Sequence, residues 1–370
     1  MNSSNIAVNA NACLACGKCV DHCIMDNLRL VLPPCRQASP LGINYQGILR
    51  LTAAGKPAEA AKLLRSCTPF GGFLAVWGDK AASQACSRSR KGGALDMARV
   101  LSWLVQREES AVYSADPDPY AHSCKTVAVI GSGPAGLQAA HDLRRKGYAI
   151  TVYEAAPSIG STLRFLPSGE GSSPAEGGIL PSIPAEIMDK TIAMLLGMGI
   201  DIRTFSPKGQ SELDELCKTY DAVLCASGKG SVLPADDLGW VRDNLFAAGA
   251  CVKNQKQIGT LQAMASGAKA ARTICNFLEG FSLDYESDQR TARGLERFHG
   301  LSDAQEDTAD MPAVKPSAQE YSDAEAASEA SRCLGCGSPA ERNQTCWYCL
   351  PCEVVCPTHA LYVRVPYLVR

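Results

Sequence analysis

Lys125-Thr-Val-Ala-Val-Ile-Gly-Ser-Gly-Pro-Ala-Gly136 is the stretch whose reading decides the fold. Val127, Val129 and Ile130 predict a buried strand. Gly131, Gly133 and Gly136 then spell G-x-G-x-x-G, with Ser132, Pro134 and Ala135 between them. Leu137, Ala139, Ala140 and Leu143 continue as a helix that Gly147 ends, and the strand Ala149-Ile-Thr-Val-Tyr153 delivers Glu154. The first glycine permits the tight turn, the second lets backbone approach a pyrophosphate, and the third lets helix and strand pack closely. The helix N-terminus offers N–H groups to phosphate. Glu154 stands where a carboxylate accepts from both ribose hydroxyls. A lone G-x-G-x-x-G is weak; one set between strand and helix, with an acid at this distance, predicts a dinucleotide site in an α/β, Rossmann-like domain.

Around this stretch the composition excludes several classes. The 370 residues carry a net charge of −2, so no basic field invites nucleic acid. No run of about 18 apolar residues predicts a membrane span. Met1-Asn-Ser-Ser-Asn-Ile6 lacks the basic and apolar regions of an export signal. The 18 cysteines are therefore read as metal ligands of a cytoplasmic, oxygen-sensitive, anaerobic-type protein rather than as disulfides.

Two cysteine clusters lie at the ends of the chain. Cys13, Cys16, Cys19 and Cys23 follow C-x-x-C-x-x-C-x-x-x-C, with Ile24 where proline usually follows. Cys346, Cys349, Cys352 and Cys356 repeat the spacing, and Pro357 completes it. This is the bacterial ferredoxin spacing and predicts a [4Fe–4S] cluster at each end. Zinc more often takes two separated C-x-x-C knuckles. In two-cluster ferredoxins the fourth cysteine ligates the other cluster, so Cys23 and Cys356 are expected to cross over if the chain ends pack together. Cys333 and Cys336 precede the second motif; with Cys35 they could form a third cluster, bind zinc or remain thiols.

Between the motifs, helices are expected over 43–53, 58–65 and 94–108, each with an apolar stripe. Asp116-Pro-Asp-Pro119 reads as a turn into the nucleotide strand. Gly169-Glu-Gly171 and Gly177-Gly178 read as a Ser/Pro/Gly loop, 185–198 as an amphipathic helix and 199–204 as a strand. The expected division is a cluster segment (1–32), a helical domain (33–120), the nucleotide domain (121–280), a polar linker (281–330) with a helix at 322–332, and a second cluster segment (331–370).

The order of helical block, V-A-V-I-G-S-G-P-A-G-L, T-V-Y-E, Leu163-Arg-Phe165, Tyr220-Asp-Ala-Val-Leu-Cys-Ala-Ser-Gly228 and Asn244-Leu-Phe-Ala-Ala-Gly-Ala-Cys-Val252 resembles the small subunit of glutamate synthase and the N-terminal part of dihydropyrimidine dehydrogenase. The resemblance covers most of 33–280. It implies FAD, with the ADP half on Gly131–Gly136 and Glu154. Leu163 and Arg164 would lie near the pyrophosphate, and Ala226, Ser227 and Gly228 along the cofactor. Gly249 and Ala250 replace part of a G-G-D near the ribityl chain. Thr260 would open a helix aimed at the isoalloxazine.

Three departures qualify the resemblance. Ser39 and Ala82 replace cysteines of the helical domain, leaving Cys35 and Cys86, so that domain is expected not to hold its usual clusters. Ala250 lacks the carboxylate. Between Gly228 and Asn244 there is no room for an NADPH domain, since βαβ units take about 30 residues each. The chain is therefore read as an electron-transfer subunit linking FAD, [4Fe–4S] clusters and other redox subunits of a hetero-oligomeric complex, with ferredoxin as a further partner. The rival readings are a stand-alone NAD(P)H or ferredoxin oxidoreductase, and a structural adaptor whose FAD site is vestigial. No general acid, base or nucleophile stands out, so no catalytic residue is assigned.

Overall fold

A computed structural model describes residues 5–90, 92–107, 124–164, 182–205, 209–228, 232–253, 259–285, 291–292, 311–342 and 346–364. The chain divides into two compact units. One unites residues 1–67, 78–108 and 286–370; the other comprises 68–77 and 109–285. The segments expected at 1–32 and 331–370, and most of the helical block, thus share one unit. The Asp116–Pro119 turn and the loop with Gly169, Gly171, Gly177 and Gly178 lie outside the described residues.

The second unit is built on a six-stranded sheet. Its order is Asp201–Thr204, Ala149–Glu154, Thr126–Ile130, Ala222–Cys225, Leu245–Ala247 and Trp240–Arg242. All neighbours are parallel except the last pair. Parallel strands are covered on both faces and so are apolar throughout. Val127, Ala128 and Val129 are fully buried, as are Ala222, Val223 and Leu224. Helices Pro134–Arg145 and Thr260–Glu279 pack closely on each other. That approach requires Gly267, where a Cβ would lie 2.1 Å from the carbonyl oxygen of Ala135. Helix Gly71–Trp77 also belongs to this unit. Thr68 Oγ1 donates to Gln138 Oε1 at 2.7 Å, and Phe70, Phe73 and Trp77 stack edge to face. Between Gly228 and Asn244 the described residues form only the Trp240–Arg242 strand and its turn.

In the first unit the two ends of the sequence pair. Ile6–Val8 runs antiparallel to Leu361–Val363, with Ile6 opposite Val363 and Val8 opposite Leu361. Leu28–Val31 pairs antiparallel with Ser338–Glu341 and parallel with Thr291–Ala292. Its longer helices among the described residues are Tyr45–Ala53, Pro57–Cys67, Met97–Gln106 and Asp323–Ser331. Side-chain caps set several starts: Asn44 accepts from Gly47 N, Asp96 from Arg99 N, and Ser322 forms a capping box with Glu325.

Part of the stretch expected as a polar linker is packed. Tyr321, Ala326, Glu329 and Ala330 are buried. Glu329 is fully buried because its carboxylate accepts from the N–H of Asp96 and of Val314, both at 3.0 Å, and pairs with Arg332 at 2.6 Å. A buried charge needs such partners.

Candidate functional site: a dinucleotide cradle and three sets of four cysteines

The glycine turn sits at the carboxyl end of the central strand. Gly133 caps the helix that Pro134 begins, a position where proline's missing N–H costs no bond. A Cβ on Gly136 would lie 2.0 Å from Gly131 O, and one on Gly131 would lie 2.6 Å from Ala226 O. These two glycines are needed for the fold itself. Gly133 differs: a Cβ there would meet only Ala226 O, at 3.9 Å. Protein packing does not forbid a side chain at Gly133, yet the position lies at a helix N-terminus, where a phosphate would approach.

Ser132 and Glu154 brace the turn. Ser132 N donates to Glu154 Oε2 at 2.8 Å, and its hydroxyl forms a short bond to the same oxygen. Ala156 N donates to Glu154 Oε1 at 2.8 Å, and Gly160 N donates to Ser132 Oγ at 2.8 Å. Ala226 N reaches Ile130 O at 2.8 Å, which holds Ala226-Ser227-Gly228 beside the turn. A Cβ on Gly249 would lie 3.0 Å from that of Ala135, so the 249–251 turn reaches the same helix N-terminus. Ala250 presents no carboxylate there. Leu163 is buried, and Thr260 is the buried first residue of its 20-residue helix. The Arg164 side chain lies outside the described residues. The residues present fit a dinucleotide: an open glycine, a helix N-terminus and a fixed carboxylate meet at one strand end.

In the first unit, pairing of the chain ends interleaves the cysteine motifs. Cys13, Cys16 and Cys19 line one cavity together with Cys356, from the far end of the sequence. Cys346, Cys349 and Cys352 line another with Cys23. The backbones match position by position. Ala15 and Tyr348, two residues past the first cysteine of each motif, are left-handed at φ 48° and 57°. Gly17 and Leu350 follow at 88° and 70°, and Asp26 and His359, three past the last cysteine, at 49° and 50°. Such conformations are costly outside glycine and mark tightly determined loops. Each fourth cysteine also accepts an N–H from four residues on: Asn27 N to Cys23 Sγ at 3.4 Å, and Ala360 N to Cys356 Sγ at 3.1 Å. Ala15 N donates to Cys13 Sγ at 3.4 Å.

The thiols respond to this crowding. Burial, with repulsion from Cys16 and Cys356, pushes Cys13 up to about 11. Burial also raises Cys19, with Cys16, Cys13 and Cys356 adding to it. Burial, then Cys23, Cys346 and Cys349, pushes Cys352 up to about 11. On Cys356 burial acts upward, but the N–H groups of Leu361, Thr358 and Ala360 outweigh it and leave the thiol depressed. Four thiolates sharing a cavity need a cationic core to ionise together. Among the described residues no three His, Cys, Asp or Glu side chains converge as ligands of a single ion. A cubane instead places each thiolate on a different iron, so its cysteines surround a cavity.

A third set gathers Cys35, Cys86, Cys333 and Cys336. Cys35 is raised by burial and then by the charges of Cys333, Cys86 and Cys336. Cys333 is pushed up to about 11, first by burial, with Cys336 and Cys86 contributing. Cys336 donates to Ser87 Oγ at 3.4 Å. A buried network joins two of the three contributing segments. Arg88 Nε donates to Arg332 O at 2.9 Å, and Arg332 donates to Gly92 O at 2.6 Å and Gly93 O at 2.7 Å. Cys86 joins Cys35 and the two cysteines from the C-terminal part of the sequence. Ser39 serves elsewhere: it donates to Asp79 Oδ2 at 2.6 Å, and Asp79 also accepts from Tyr45 Oη at 3.3 Å and from Ala82 N at 3.0 Å.

Comparison with known proteins follows this geometry. Residues 125–239 match the family described as pyridine nucleotide-disulphide oxidoreductase. The NAD-dependent dihydropyrimidine dehydrogenase subunit PreT of Salmonella typhimurium is 30% identical over 210 residues, 54% of this chain and 47% of the relative. The glutamate synthase [NADPH] small chain of Escherichia coli is 26% identical over 226 residues, 59% and 42% respectively. The NADPH-Fe(3+) oxidoreductase subunit beta of Geobacter sulfurreducens is 27% identical over 198 residues, 53% and 28%. The matched part therefore spans about half or less of each relative. These homologues are subunits or chains of oxidoreductases, in agreement with the resemblance drawn from the sequence. Among the described residues no helix is long and apolar enough to cross a membrane.

Proposed function

We propose that the chain is an electron-transfer subunit of a multi-subunit redox complex, carrying FAD in the second unit and [4Fe–4S] clusters in the first. The observation that carries this reading is the exchange of Cys23 and Cys356 between the two terminal motifs, which turns eight cysteines into two sets of four. Crossed ligation is the arrangement of two-cluster ferredoxins. The third set supplies four more thiols, and we assign it a further [4Fe–4S] cluster.

FAD, when bound, exchanges electrons singly or in pairs, and each cluster exchanges one. The chain's own part is to hold them. Gly133 and the helix behind it receive the pyrophosphate, Glu154 receives the ribose, and the N–H groups on Cys13, Cys23 and Cys356 set the charge tolerated by the sulfurs. The donors or acceptors are other redox subunits, with ferredoxin as a further candidate.

The relatives' names favour one second reading, in which NADH or NADPH reduces this flavin directly. Anaerobic addition of either nucleotide to the isolated chain decides it: bleaching of the flavin supports the oxidoreductase, and an unchanged spectrum supports the relay. The crossed arrangement is tested by Cys356→Ala. It should perturb the cluster whose other ligands are Cys13, Cys16 and Cys19, while Cys23→Ala should perturb the other. Spectroscopic loss confined to the cluster of the mutated motif would refute the exchange.

A further inference from the structure

One face of helix Tyr45–Ala53 touches two of the cysteine sets at once. Asn44 Nδ2 donates to Leu14 O at 3.1 Å. Gln46 Nε2 donates to Cys13 O at 3.1 Å and to Gly337 O at 2.7 Å, and Gly337 N donates back to Gln46 Oε1 at 2.7 Å. One residue thereby ties the first motif's loop to the loop that carries Cys333 and Cys336.

Arg50 lies one turn further along the same face. Its Nη2 is 2.6 Å from where a Cβ on Gly335 would stand, so the guanidinium lies directly against the Cys333-Leu-Gly-Cys336 loop. The same Cβ would be 3.0 Å from Ala10 O, which puts the chain leading to Cys13 at that point too. Arg50 Nε is buried without a hydrogen-bond partner, and among the described residues no carboxylate pairs with Arg50. Arg50 as a whole is half-buried, and a buried donor left without a partner is costly. The anionic groups the site could offer are the thiolates.

We infer that Arg50 is a shared counter-ion for the first and third cysteine sets, raising the reduction potentials of both clusters and marking them as neighbours in the electron path. This rests on the reading that both sets hold [4Fe–4S] clusters. A cubane held by four thiolates is anionic and gains a further negative charge on reduction. A nearby cation therefore favours the reduced form. Arg50 is a positioning residue: it moves no proton and ligates no iron.

The test is a redox titration followed by electron paramagnetic resonance on protein isolated without oxygen, with iron and sulfide counted per chain. Cys352→Ser identifies the signal of the second set. In Arg50→Gln, iron should be unchanged and two of the three signals should fall in potential. The expected change is about tenfold in the oxidised-to-reduced ratio, which is 59 mV for one electron. The second set's signal should stay in place. Arg50→Lys keeps the charge and should restore most of the shift. Loss of iron from Arg50→Gln alone, with retention in Arg50→Lys, would also support a required cation. No shift, an equal shift of all three signals, or loss of iron from both variants would overturn the inference. Wild-type protein without a third cluster would instead refute the underlying assignment.

Discussion

At Gly133 the fold and the function make separable demands. A Cβ at Gly136 or Gly131 collides with backbone, at 2.0 and 2.6 Å, but one at Gly133 does not. Gly133→Ala should leave apo-protein stability within about 0.5 kcal/mol and sharply lower flavin content, read by thermal unfolding and flavin absorbance on the same sample. Equal flavin content in the variant would mean that no phosphate approaches here. Glu329 is the opposite case, a residue with structural duties only. It is fully buried, paired with Arg332, and bonded to two backbone N–H groups. Glu329→Ala leaves Arg332 buried and unpaired, so we expect a loss of about 3–5 kcal/mol in denaturant unfolding. Iron of the third set should go with it, because Arg332 adjoins Cys333.

Among the elements, helices Pro134–Arg145 and Thr260–Glu279 carry the nucleotide site between them. Gly267→Val would push a side chain into Ala135 O, only 2.1 Å from the Cβ position. It should cost about 1–3 kcal/mol by urea titration and weaken flavin binding, since Ala135 belongs to the glycine turn. Unchanged stability would mean the helices separate without penalty. The nucleotide element was legible in the sequence because its signals are local: an apolar strand, three glycines and an acid within 30 residues. The helix near 322–332 was legible for the same reason, whereas the long helix at 260 was implied by the family resemblance. Helix Gly71–Trp77 was not, since two glycines open it and its apolar residues serve contacts to Gln138 and its own aromatic neighbours.

At the scale of the whole chain, each cysteine motif could be read from spacing, and their exchange could be expected from the spacing being repeated. The third set could be read only in part: Cys35, Cys333 and Cys336 were grouped as one possibility, and Cys86 was not. Cys86 lies about 50 residues from Cys35 and about 250 from Cys333, and no local pattern binds them. What joins the Cys86 segment to the Cys333 segment is buried polar structure, Arg88 to Arg332 and Arg332 to Glu329. Arg50 was equally hidden, because an arginine near the end of an amphipathic helix ordinarily faces water. The nucleotide fold and the cluster-bearing fold are separate compact units of one chain. An electron-transfer role therefore requires that both be loaded in the same molecule.

That requirement is met or broken by one measurement: FAD, iron and acid-labile sulfide per chain, on protein isolated without oxygen. The account predicts one FAD with about 12 iron and about 12 sulfide. About 8 iron would leave the third set without a cluster. Iron without flavin, or zinc without sulfide, would contradict the central claim.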